Sequence, residues 1–142
     1  MLSRCYQIAV DKELGVIVIS FQGKIYPKDM VEMLGELFDH QDYRLDFPTV
    51  YDFSGSAAIG YQIDVMAFVK RLGQYRSSTS LHKRIGVIVK TPNQKFLINV
   101  FLKFAPSFNL ELKVFDEAKP CVTWIKEGAD DQEKLCQLLK AN

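Results

Sequence analysis

Arg84-Ile85-Gly86-Val87-Ile88-Val89-Lys90-Thr91-Pro92-Asn93 is the stretch that decides the fold. Its first half is a short, nearly continuous β-branched run, the pattern of a strand covered on both faces. Its second half turns at once into a helix start. Thr91 suits an N-cap, and Pro92 suits the first helical position, where a missing N–H costs nothing. A covered strand that feeds directly into a helix is half of a crossover unit, and such units build parallel sheets.

The same alternation recurs on either side. Upstream, Thr49-Val50-Tyr51-Asp52-Phe53 reads as a short strand stopped by Ser54-Gly55-Ser56. A helix from about Gln62 to Tyr75 follows it, burying Ile63, Met66, Val69 and Leu72. Before that strand, Pro27 and Asp29 open a helix whose Met30, Met33, Leu34, Leu37 and Phe38 recur at helical spacing. Asp42 to Pro48 is a polar connector. At the start of the chain, Tyr6–Val10, a turn at Asp11–Gly15 and Val16–Phe21 predict a β-hairpin. Downstream, the Pro92 helix runs from Gln94 to about Phe104, and Pro106 stops it. Leu110–Phe115 alternates strictly, as a strand does. Asp116 caps a helix holding Ala118, Val122, Trp124 and Ile125, Gly128 ends it, and Asp130 opens a short final helix through Leu135, Leu138 and Leu139. The expected architecture is α/β in one domain over 1–142: an N-terminal hairpin, then alternating strands and helices, with a mixed, mostly parallel sheet of about five strands and four or five helices.

Composition agrees with such a domain. The 142 residues are 48% hydrophobic and 25% charged, enough apolar material for a core. No run reaches the ~18 apolar residues of a membrane span. The first residues lack the apolar stretch of a signal peptide, so the expectation is a cytoplasmic protein. Cys5, Cys121 and Cys136 are widely spaced and read as reduced thiols, with Cys121 and Cys136 on apolar helix faces. His40 and His82 belong to no metal-ligand pattern and read as surface histidines. Neither a metal nor a cofactor is expected.

Three segments carry a family likeness. The first is Gly15-Val16-Ile17-Val18-Ile19 through Gly23-Lys24-Ile25, with Pro27-Lys28-Asp29 entering a helix. The second is Val50-Tyr51-Asp52-Phe53-Ser54-Gly55. The third is Arg84–Val89, followed after a helix by Glu111-Leu112-Lys113-Val114-Phe115-Asp116-Glu117-Ala118 and Trp124-Ile125. In order and spacing, from about Tyr6 to Lys126, the chain resembles the SpoIIAA-like family of the STAS superfold. The resemblance implies a bacterial, non-catalytic regulatory module, related in fold to anti-sigma factor antagonists and to CRAL-TRIO lipid-binding domains. Antagonists of that kind carry a phosphorylatable serine where the helix after the second segment begins. Here that neighbourhood is Ile59-Gly60-Tyr61-Gln62, without a hydroxyl of Ser or Thr. Ser54 and Ser56, a few residues earlier, fit a strand-end turn and are the remaining phosphorylation candidates.

Charge placement adds something that the resemblance does not. The totals, 18 basic against 17 acidic, give a net charge of +1. From Val65 to Leu110, however, stand Lys70, Arg71, Arg76, Lys83, Arg84, Lys90, Lys95 and Lys103, and no acid. The remainder, 10 basic against 17 acidic, is −7. Such a window reads either as a solvated face paired with acids from elsewhere or as a site for an anionic partner. Nucleic acid ranks low, since only Lys70-Arg71 and Lys83-Arg84 are adjacent. Within the window, the Pro92 helix has a buried stripe of Phe96, Leu97, Val100, Phe101 and Phe104, flanked by Ile98 and Leu102. Only Lys95, Asn99 and Lys103 form a polar line. So much apolar surface means deep burial, a dimer seam, or a lipid interface with snorkelling lysines.

Enzyme chemistry lacks support. Asp52 beside Ser54 has no sequence-adjacent base, and no phosphate loop is present. The leading expectation is a non-catalytic binding module for an amphipathic or lipid-like ligand or an anionic membrane surface, using Tyr61, Phe68, Arg71, Lys95, Ile98, Phe101, Leu102, Lys103 and Phe108. The alternative is a partner-switching regulator that docks another protein. Both leave open monomer or homodimer, and the first adds peripheral membrane contact to the cytoplasmic expectation.

Overall fold

The computed structural model of the chain describes residues 5–58, 62–76 and 81–141, apart from the side chains of 58, 62–65 and 75. The hairpin pairs β1 (Tyr6–Asp11) antiparallel to β2 (Val16–Ile25), with Tyr6 opposite Phe21 and Asp11 opposite Val16. Its turn is held by Asp11, whose Oδ1 accepts from the Leu14 amide at 2.9 Å. Gly15 supplies the positive φ of 67° that closes it.

From there the chain alternates: α1 (Pro27–Asp39), β3 (Thr49–Ala58), α2 (Gln62–Arg76), β4 (Lys83–Ile88), α3 (Pro92–Leu102), a single 3-10 turn (Ala105–Phe108), β5 (Leu110–Phe115), α4 (Ala118–Ile125) and α5 (Ala129–Ala141). The five strands lie in sequence order, and β2 to β5 are all parallel. Right-handed crossovers that always step in one direction put every connecting helix on one face. Accordingly α1, α2 and α3 share a core with Ile17, Ile19, Phe21, Ile85 and Val87, while α4 and α5 cover Val16, Val18, Val50 and Ile88 on the other face. Val16 to Ile19 are buried in succession because both faces of β2 are covered.

Four boundaries differ from the sequence expectations. β3 does not stop at Ser54-Gly55-Ser56 but continues to Ala58, with Gly55 to Ala58 pairing Gln22 to Ile25 of β2 beyond a bulge. α3 ends at Leu102, and the chain tightens into the 3-10 turn before Asn109, in the left-handed region, redirects it into β5. Glu117 rather than Asp116 stands at the N-cap position of α4, without a side-chain capping bond, and the final helix is 13 residues long, not short.

Candidate functional site

The acid-free window between Val65 and Leu110 does not form one basic surface. Its cations go in several directions. Arg76 and Lys83 point inward and are only 2% and 4% exposed. Arg84 crosses to the α4 side, where its guanidinium lies 5.1 Å from the Trp124 ring centroid, donates to the Trp124 carbonyl at 3.0 Å and pairs with Glu111. Lys90 donates to the carbonyl of Asp116. Arg71 is half-buried, reaches Gln74 at 3.2 Å and packs toward Gly35 of α1. Lys70 on α2, Lys95 on α3 and Lys103 at the end of α3 are exposed on the helices that cover one face of the sheet.

These lysines share their helix faces with apolar side chains. Met66, 40% exposed, lies one turn before Lys70, and Phe96 is 52% exposed beside Lys95. Both were expected in the core. The buried side of α3 is instead formed by Gln94, Val100 and Phe101, with Leu97, Ile98 and Leu102 partly covered. The reason is Gln94. Its Nε2 donates to the carbonyls of Phe53 at 2.9 Å and Ser56 at 2.7 Å, on the stretch of β3 that has outrun β4. Its Oε1 accepts from the amides of Lys90 and Thr91, and its own amide donates to Thr91 Oγ1, completing a capping box. Pulling Gln94 into the sheet turns Phe96 outward, since residues two apart on a helix sit on opposite sides.

Of the ligand-site candidates, Phe68 and Phe101 meet edge-to-face at 5.3 Å between α2 and α3. Ile98 and Phe108 pack against the same core, with Phe108 close over Gly73. Leu102 is half-buried, Lys95 and Lys103 are exposed, and Tyr61 lies outside the described residues. Ser54 is exposed and its amide donates to Asp52 Oδ1 at 3.0 Å, an Asx turn. Ser56 Oγ donates to the Phe53 carbonyl at 2.8 Å.

A second cluster was not anticipated. At the end of the sheet where β4 begins, Arg76 divides its guanidinium among three backbone carbonyls, those of Leu45, Leu81 and Phe108, at 2.8 to 3.1 Å. It thereby ties together the α1–β3 connector, the segment before β4 and the 3-10 turn. Lys83 Nζ sits 5.2 Å over the Tyr43 ring. Burial, then the nearby Arg76 charge, lowers its pKa to about 7, against a smaller opposing pull from Asp46. Burial pushes Tyr43 up to about 12, and Tyr51 higher still. On the other face, Cys121 is pushed up to about 12 by burial and then by Asp52, so its thiol stays protonated. Among the described residues, no group of three His, Cys, Asp or Glu side chains could hold a metal ion. No described helix is long and apolar enough to cross a membrane.

No family model and no curated protein matches the chain. Among solved structures it is similar to an uncharacterized protein from the DUF3478 family with a SpoIIAA-like fold, from Shewanella loihica PV-4. That likeness covers 89% of this chain and 99% of the other at 16% identity, with a TM-score of 0.55. Sequential parallel strands behind an N-terminal hairpin, three helices on one face and two on the other, therefore make this a SpoIIAA-like fold of the STAS type.

Proposed function

We propose that this chain is a non-catalytic module that rests the solvent face of α2 and α3 on an anionic lipid surface. One observation carries the reading: exposed Phe96 and Met66 are accompanied by exposed Lys70, Lys95 and Lys103, on helices with no acid from Val65 onward. Apolar tips with lysines beside them are the arrangement by which an interfacial helix enters the headgroup region.

The expected affinity is modest. Each lysine near such a surface contributes about 1 kcal/mol, and burying a Phe side chain about 2. A total near 5 kcal/mol corresponds to reversible, roughly sub-millimolar binding. Co-sedimentation with vesicles of phosphatidylcholine alone, or mixed with phosphatidylserine, tests it. Binding should need phosphatidylserine, fade as salt rises, fall with Phe96→Ser and disappear with Lys95→Glu/Lys103→Glu. Absence of binding at low salt would remove this reading in favour of protein docking.

A further inference from the structure

β5 is the last strand of the sheet, and no described strand pairs with its outer edge. Its backbone direction follows from its two ends. The carbonyls of Asn109 and Phe115 accept from Lys83 and Val89, so the odd-numbered residues turn their main-chain groups toward β4. Leu110, Leu112 and Val114 therefore direct theirs outward along the free edge. The segment Leu110-Glu111-Leu112-Lys113-Val114-Phe115 contains neither Pro nor Gly, so each residue keeps a backbone amide able to pair.

Side chains on the same strand divide cleanly. Leu110 is buried in the core beneath the three helices, and Leu112 and Val114 are packed against that core but only half-buried. Glu111 and Lys113 stand on the opposite face, both exposed, near Arg84 and Trp124. We infer that this edge pairs antiparallel with β5 of a second copy of the chain, about a twofold axis through Leu112.

Charge selects both the occupant and the register. Directly opposed residues in an antiparallel pair point to the same face, so a twofold axis must pass through one residue and its own copy. An axis through Glu111 opposes two glutamates, and one through Lys113 opposes two lysines. An axis through Leu112 opposes each Glu111 to the Lys113 of the other copy and Leu110 to Val114. It also makes Leu112 and the Leu110–Val114 pairs the hydrogen-bonded positions, as the outward main-chain groups require. The Glu111–Lys113 pairs then occupy the non-hydrogen-bonded sites, where side chains come closest. Leu112 against its own copy covers the apolar flank that one chain leaves half exposed.

Sedimentation equilibrium of the intact chain should show a reversible dimer. Lys113→Glu should weaken it about tenfold, since two attractive pairs become two repulsive ones. Glu111→Lys/Lys113→Glu, which keeps the net charge and restores both pairs in exchanged positions, should return to within about threefold of the parent. Thermal unfolding reports whether each variant is folded. Should either fail to fold, dilution of the unaltered chain by NMR supplies the same test, because the amides of Leu110, Leu112 and Val114 should shift with concentration. A chain that stays monomeric at millimolar concentration overturns the inference. So does a dimer indifferent to Lys113→Glu or not recovered by the exchange, or one whose shifts fall on β1.

Discussion

Lys83 illustrates how much a single residue's setting alters its chemistry. It begins β4, and its neighbour Arg84 faces the opposite side of the sheet, so strand alternation alone sends the Lys83 amine inward over Tyr43. The groups around it are Arg76, Asp46, Tyr43 and Tyr51, and desolvation dominates, lowering its pKa from 10.5 to about 7. The unfolded chain binds the extra proton between these two values, so folding stability should rise with pH from about 7 upward, and the full penalty should persist below 7. A shift of this size corresponds to roughly 5 kcal/mol. Above pH 10 the unfolded tyrosines ionise while Tyr43 and Tyr51 stay protonated, and stability should turn down again. Lys83→Met keeps the stem and removes the amine. Urea unfolding should find this variant more stable at pH 7 by about 2 kcal/mol or more, with a flatter profile from pH 7 to 10. An unchanged profile would show that the amine is solvated.

Between elements, α4 packs tightly on β4 at Gly86. A Cβ on Gly86 would stand 2.5 Å from Cys121 Sγ and 3.4 Å from Ile125. Neither neighbour is a flexible surface tip, since both are buried. Gly86→Ala should therefore cost about 2–3 kcal/mol in chemical denaturation, as overpacking does, and Gly86→Ala/Cys121→Ala should recover much of it. If the pair simply adds, the two side chains do not meet. Elements of this kind were legible in the sequence: the β-branched run of β4, the Thr91–Pro92 helix start and the hairpin all follow from local pattern. The far half of β3 was not, because Ser54-Gly55-Ser56 has turn chemistry and only pairing with β2 keeps it extended. The rotation of α3 was hidden for a similar reason. Thr91 and Gln94 read as a capping box, but nothing local shows that Gln94 also reaches the carbonyls of Phe53 and Ser56, about forty residues away. Burial of Arg76 was equally unreadable, since its partners are carbonyls of three separate loops.

For the molecule as a whole, the basic window turns out to be a sequence feature rather than a surface. Two of its cations belong to the interior and others are engaged on separate sides, which concentrates the remaining positive charge on the α2–α3 face. Salt should accordingly modulate vesicle binding through a few lysines, giving a shallow dependence rather than the steep one of a polybasic surface. The overhang of β3 has another consequence, for how the molecule opens. Thr49 to Asp52 are held between two strands, whereas Gly55 to Ala58 are bonded to β2 alone and rely on the Gln94 side chain across the gap. Hydrogen–deuterium exchange should therefore divide one continuous strand into two: a first half whose amides exchange only when the whole domain unfolds, and a second half released by local opening. Gln94→Leu should speed the second far more than the first, and equal protection along β3 would mean that the strand opens as one unit. The overhang would then open while the part of β3 held between β2 and β4 stays closed.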